Sequence, residues 1–229
     1  MKLLSTLKCA IVPRGRGPRR ILTGPFRGLI MQLDLATQFQ FYAGTFEREL
    51  SPWILRLSHR IRSAVDIGAA DGEYTLYFLA RTSAERVYGF EPQECYIDRI
   101  HLNLSLNQVD ASRLKLSDKY VSGDHRKNSV TLDSLQDALP LPCFVKMDID
   151  GGEMEALKSS SQLCGRSAIR WLIETHSREL ESNCISFLQA AGFRTRVIRP
   201  AWWRCILPEQ RVDEHNQWLV AAKPGDITI

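Results

Sequence analysis

The chain has 229 residues, 44% hydrophobic and 24% charged, the balance of a soluble globular protein. That is the length of one α/β domain with an added segment, or at most two small domains, and it excludes a need for disulfides or a structural metal to build a core. A formal charge of +4 is too modest to predict a nucleic-acid binder, and no apolar run reaches the ~20 residues of a membrane span.

Residues 1–40 read as a basic N-terminal leader. No acidic residue precedes Asp34, whereas Lys2, Lys8, Arg14, Arg16, Arg19, Arg20 and Arg27 are basic. Pro13, Gly15, Gly17 and Pro18 interrupt any helix across these charges. A solvated, partly disordered arm with a few short extended pieces therefore accounts for them better than an amphipathic membrane helix. Residues 41–229 are expected to hold the folded domain. Residues 45–60 look like an amphipathic helix with Thr45 as its cap and Pro52 at a break, placed to cover the open edge of a sheet as a lid.

From there the chain alternates short β-rich runs with helical stretches, the pattern of a parallel sheet with helices on both faces. The strands predicted are Ser63–Ile67, Arg86–Phe90, Leu114–Lys119, Cys143–Ile149, Trp171–Glu174, Arg194–Arg199 and Gln217–Ala222. Helices are predicted at Glu73–Arg81, Cys95–Leu106, Gly152–Ser159 and Glu181–Ala191, the last closed by Gly192. The expected fold is a doubly wound, Rossmann-like, seven-stranded and mostly parallel sheet whose last strand is antiparallel. The cysteines at 9, 95, 143, 164, 184 and 205 include no C-x-x-C pair, which argues against zinc and for reduced thiols in a cytoplasmic protein.

The stretch SAVDIGAADGEYTLYFLA carries most of the chemistry. A buried strand runs through Asp66 into Gly68, Ala69, Asp71 and Gly72 and then directly into a helix, placing this turn at the sheet's topological switch point. Gly68 would let backbone approach a ligand, and the helix N–H groups would favour a carboxylate. A dinucleotide normally uses G-x-G-x-x-G, whereas here Asp71 puts a negative charge where a pyrophosphate belongs. An adenosyl amino acid with an ammonium and a sulfonium, S-adenosylmethionine, suits the acidic turn better. Glu91 ends the next strand, where a carboxylate can accept from both ribose hydroxyls, and Pro92 stops the strand and aims that side chain. Capping of the following helix is the simpler reading of Glu91 taken alone.

In CFVKMDIDGGEMEALKS, charges at Lys146, Asp148 and Asp150 near an inner strand's end are costly unless paired or at a site. Asp148 would lie beside the transferable methyl. Glu153 reads as a helix N-terminal charge. In RWLIETHS, His176 falls at the same edge and is a candidate general base alongside Asp148. Asp148, Asp150, Glu174 and His176 could also hold magnesium, but a charged network explains the same residues, so no metal is expected. Trp202 and Trp203 could stack on a sugar or simply pack a loop.

Through these motifs the sequence resembles the FkbM family of methyltransferases from about Phe41 to Pro224. The resemblance rests on YAGTFERE, VDIGAADGEYT, VYGFEPQ, Asn103 and Asn107, VTLDSL, VKMDIDGGEMEAL, LIETHS, FLQAAGF and WLVAAKP. VTLDSL followed by the K-M-D-I-D-G-G-E run is the most specific part, because general class I methyltransferases lack it. The family usually has glutamate where this chain has Asp150. The resemblance implies a class I domain over residues 41–229 and S-adenosylmethionine as methyl donor. It implies O-methylation of a hydroxyl on a sugar or natural-product-like small molecule, with no nucleic-acid partner. Asp66, Gly68 and Asp71 would line the methionine part, Glu91 the ribose, and Asp118, or less well Asp124, the adenine. The rivals are an NAD-type oxidoreductase and a non-catalytic binding protein on the same fold.

Overall fold

The computed structural model describes residues 15–123, 128–205 and 217–229. The described residues begin with an antiparallel hairpin, β1 (Arg16–Arg20) and β2 (Ile30–Asp34), followed by α1 (Phe39–Ala43) and α2 (Ser51–Leu57). Next come β3 (Ser63–Ile67), α3 (Glu73–Arg81), β4 (Arg86–Phe90), α4 (Glu94–Asn107) and β5 (Leu114–Ser117). A two-residue pair, β6 (Tyr120–Val121) and β7 (Ser129–Val130), leads to β8 (Cys143–Met147), α5 (Glu153–Lys158) and α6 (Ser161–Gly165). The chain ends through β9 (Ile169–Thr175), α7 (Arg178–Ala190), β10 (Arg194–Ile198) and β11 (Gln217–Ala222).

The main sheet has seven strands in the order β10-β11-β9-β8-β3-β4-β5. Strand β11 is antiparallel to both its neighbours, and β9, β8, β3, β4 and β5 are mutually parallel. This is the expected doubly wound, Rossmann-like sheet with its last strand reversed. The chain winds outward from β3 through β4 to β5 and then returns to β8 on the other side of β3. The switch point therefore lies between the C-terminal ends of β3 and β8, where an α/β sheet opens to a ligand.

Alternate residues of each inner strand feed opposite faces. Phe144, Leu172 and Val220 join Ile54 and Leu57 of α2, Leu76 and Phe78 of α3, and Ile100 of α4 in one buried cluster. Val145, Ile173 and Leu219 join Ala156 of α5, Leu163 of α6, and Cys184 and Leu188 of α7 in the other. Both faces are thus covered, as parallel strands require. Among the described residues no cysteine is in a disulfide, and Cys143, Cys164 and Cys184 are buried. No described helix is long and apolar enough to cross a membrane.

Several expectations are corrected here. Residues 16–34 are not a solvated arm: Ile21, Leu29, Met31 and Leu33 are buried in the first cluster, and the basic residues around them occupy the hairpin's outer positions. The helix expected over 45–60 is a single 3-10 turn at Arg48–Leu50 followed by α2, because Glu47 sits at φ 47° and Pro52 belongs at a helix start. Ile54 and Leu57 bury α2 in the core, so it is not a lid. Helix α7 starts three residues early because Ser177 caps it, its hydroxyl accepting from the Leu180 N–H at 3.1 Å. The strand expected to reach Ile149 ends at Met147, and the one expected to reach Lys119 ends at Ser117.

Candidate functional site

The turn leaving β3 is held by the protein's own groups. The N–H groups of Gly68 and Ala69 both donate to the Phe90 carbonyl, at 2.9 and 3.0 Å, and the Ala70 N–H donates to Glu91 Oε2 at 2.9 Å. Gly68 has φ 76°, and a Cβ there would lie 1.8 Å from the Asp148 carbonyl oxygen. The glycine is therefore demanded by the close approach of the chain after β8 rather than by a ligand. Gly72 starts α3 at φ 82°, and a Cβ on it would press to 2.8 Å against Ile100 of α4.

Asp71 is engaged by groups of the chain itself. Its carboxylate is bound by Arg99 at 3.0 Å, Arg16 at 3.2 Å and the Gln38 amide at 2.9 Å. The expected charge conflict between Asp71 and a pyrophosphate is removed by these two arginines. The three turn N–H groups of Gly68, Ala69 and Ala70 are already engaged within the chain and present no free donors to a diphosphate.

Glu91 is buried at the end of β4, where its second oxygen accepts from the Gln93 N–H at 2.9 Å. Both readings of this residue meet here: it supports the start of α4, and it bridges that start to the β3 turn. Pro92 follows at the strand end, half-buried. Asp118 is exposed just beyond β5 and lines a cleft of about 470 Å³ with Ile97, His101, Leu104, Leu116 and Ser117. Asp124 lies outside the described residues.

Asp66 is fully buried. One carboxylate oxygen accepts from the Thr75 hydroxyl at 2.7 Å, while Oδ1 has no hydrogen-bond partner and lies 3.9 Å from Lys146 Nζ. Lys146 projects from β8 on the same face, 3.2 Å from the Gly68 carbonyl, 3.6 Å from Asp148 and 5.2 Å over the Tyr74 ring. Burial raises the Asp66 carboxyl above the ordinary range despite Lys146. Burial likewise lifts Glu73, at the start of α3, to about 7. Burial would lower Lys146, but Asp148, Asp66, Glu73 and Glu47 together raise it, so it stays charged.

His176 follows β9 at the same edge. Its Nδ1 is 2.7 Å from Glu153 Oε1, and its Nε2 faces Asp150 at 3.4 Å, Asp148 at 3.5 Å and Glu174 at 4.0 Å. The hydrogen bond to Glu153 lifts its pKa to about 9, against the opposing effect of burial and with help from the neighbouring carboxylates. Glu153 is wholly buried, so it is far more than a solvated helix-end charge. Trp202 is 81% exposed, and Trp203 carries the Arg204 guanidinium at 4.1 Å from its ring centre.

Thr75, Tyr74, Glu73 and Glu47 were not expected at the site. The first three fill the opening turn of α3, which doubles back over β3, and this much follows from the abrupt strand-to-helix turn at Gly72. Glu47 reaches Tyr74 at 3.5 Å only through the packing of a distant segment, for which the sequence carries no signal.

No family model and no curated protein sequence matches the chain. Solved structures do. The FkbM methyltransferase from Methylobacillus flagellatus KT aligns with a TM-score of 0.58 at 19% identity, covering 71% of this chain and 44% of that one. The chain thus spans less than half the length of that relative. TYW2 from M. jannaschii, solved in complex with AdoMet, aligns with a TM-score of 0.54 at 15% identity over 92% of this chain and 85% of its own. An rRNA methylase from Streptococcus thermophilus aligns at 0.52 and 13% identity, covering 77% and 97%. Together with the strand order, these likenesses show that the chain has the Rossmann-like fold of class I methyltransferases.

Proposed function

We propose that the chain is an S-adenosylmethionine-dependent methyltransferase acting on a hydroxyl of a sugar or natural-product-like small molecule. The observation that carries this reading is the acidic lining at the switch point, above all the buried Asp66 with its unpartnered Oδ1. That oxygen faces Lys146 only at 3.9 Å, too far for a hydrogen bond, so it retains acceptor capacity for an N–H-bearing ligand. Glu73, Asp148 and Glu174 add to that preference for positive charge. S-adenosylmethionine brings an ammonium and a sulfonium and supplies a methyl group already activated for transfer.

The chain's own residues then divide the work. Asp66 and Lys146 fix the electrostatics beneath the amino-acid portion. Glu91 retains lone pairs on both oxygens after its two backbone contacts and would accept from ribose hydroxyls. Asp118, at the mouth of the largely apolar cleft between α4 and β5, would meet the adenine amino group. Asp71 supports this pocket from behind by tying α4 and the hairpin to the turn. The hydrogen bond to Glu153, which lifts the His176 pKa to about 9, favours its charged form, so Asp148, one-third exposed, is the better placed of the two candidates to take the acceptor's proton in the cation-free protein. The domain would span residues 41–229 with the hairpin as its extension, working in the cytoplasm, where its buried thiols stay reduced.

Isothermal titration with S-adenosylhomocysteine and with NAD tests the pocket: binding of the first and not the second is expected. Transfer from labelled donor to polyols, glycans and RNA then sorts the acceptor, with signal on the hydroxyl compounds expected. Tight NAD binding without S-adenosylhomocysteine binding would overturn the proposal, and cofactor binding without any transfer would favour a binding protein.

A further inference from the structure

We infer that Asp148, Glu174 and His176 form a site for a divalent cation, magnesium or manganese, at the C-terminal edge of β8 and β9. Each offers one ligand atom, and these atoms all lie within 4.8 Å of one another. The register explains why. Met147 of β8 pairs with Ile173 of β9, so the next residues, Asp148 and Glu174, emerge side by side, and His176 follows two positions on.

The orientation of the imidazole is the independent observation. Glu153, wholly buried on α5, holds Nδ1 at 2.7 Å and leaves its own Oε2 without a hydrogen-bond partner. A carboxylate gripping one ring nitrogen while the other points at oxygen ligands is the usual support of a metal-bound histidine. Nε2 stands 3.5 Å from Asp148 and 4.0 Å from Glu174, longer than N–H···O bonds usually run. Ligand atoms about 2.1 Å from an octahedral ion are separated by about 3.0 Å when cis and about 4.2 Å when trans. The two His176 distances lie between those values, and all three ligand atoms lie within 4.8 Å of one another, so small side-chain shifts would close them around one ion. Four carboxylates (Asp148, Asp150, Glu153 and Glu174) meet one imidazole here, and the adjacent Lys146 is shared with Asp66. A dication offsets that excess charge, and two carboxylates with one imidazole suit manganese or magnesium better than softer ions.

The role of the ion rests on the methyl-transfer reading. Its open positions would take the acceptor, which selects a hydroxyl with a second oxygen beside it, as in a vicinal diol. With the ion present Asp148 is a ligand. The acceptor hydroxyl then loses its proton to bulk water beside Asp150, which is 92% exposed, as its oxygen gains the methyl and the donor sulfur keeps the electron pair of the broken bond.

The test uses the full chain, stripped with chelator and titrated with manganese chloride alone, followed by electron paramagnetic resonance. One bound ion is expected, with echo modulation from an imidazole nitrogen. His176→Ala and Glu174→Gln should each weaken binding at least tenfold, and His176→Ala should abolish the nitrogen signal. S-adenosylhomocysteine titration of the same samples reports both folding and the methyl-transfer reading. Failure of the wild-type chain to bind manganese at millimolar concentration overturns the site, as does unchanged binding in both variants. Manganese binding without S-adenosylhomocysteine binding upholds the cation site and sinks the methyl-transfer reading.

Discussion

Asn103 and Asp71 are joined by a buried hydrogen bond, the side-chain amide of Asn103 donating to the Asp71 carbonyl at 2.7 Å. The same amide's oxygen accepts from the Gln32 N–H at 2.8 Å. One turn further along α4, Asn107 takes both the N–H and the carbonyl of Ile30, at 2.8 and 2.6 Å. Two asparagines one helical turn apart thus serve as a false strand along β2, and Asn103 connects that edge to the turn leaving β3.

Replacing Asn103 with Leu should cost about 2–4 kcal/mol, because a buried N–H and a buried carbonyl both lose their partner. Urea unfolding measures the loss. A cost near zero would mean that the hairpin contributes little to the fold.

Gly68→Ala should destabilise the chain by about 3 kcal/mol or more, through left-handed strain combined with a collision with the Asp148 carbonyl. Thermal melting reports it directly. A melting temperature within a degree or two of wild type would show that the end of β8 can retreat at no cost.

Arg170 on β9 is bound bidentately by Asp226 at 2.8 and 2.9 Å and donates to the carbonyls of Leu57 and His59. Asp226→Ala leaves this buried guanidinium without its counter-charge and should cost about 3–5 kcal/mol. Arg170→Met combined with Asp226→Leu should cost less than the sum of the two single changes, since the pair removes both charges together. A double-mutant cycle in guanidinium chloride separates the two.

Glu49 accepts from Arg204 at 2.6 and 2.8 Å and from the Ala201 N–H at 2.8 Å. Burial pushes its carboxyl up, but these donors together outweigh burial and hold it below the ordinary glutamate range. A lowered folded pKa contributes stability above the unfolded value, and that contribution is lost as pH falls through the folded one. The melting temperature should therefore fall on acidification below about pH 4.5, the ordinary glutamate value. Glu49→Gln should fall less steeply over the same range. Parallel slopes for the two proteins would show that Glu49 is not the titrating group.

The legible parts of this chain were those governed by local pattern. Strands such as Arg86–Phe90 and helix α3 follow from apolar periodicity and flanking glycines, and the strand ends at Asp66, Glu91, Asp148 and His176 follow from them. The hairpin was missed because β1, RGPRR, has no apolar alternation of its own, and its burial is supplied by β2 and α4. The partners of Asp71 are hidden from local pattern for a related reason: Arg16 and Arg99 reach it from 55 residues before and 28 residues after. Likewise, nothing local in THS shows that Glu153 will turn the imidazole of His176 toward the acids.

The borrowed edge along β2 also bears on how the chain can be shortened. A fragment starting at residue 41 would lift Ile21, Met31 and Leu33 off α4, uncover Ile100 and Leu104 to water, and leave two asparagine side chains reaching for a backbone no longer there. Such a fragment would expose an oily flank on a stripped helix and clump with its own copies, so trimming to the motif-bearing region would promote aggregation without simplifying the fold.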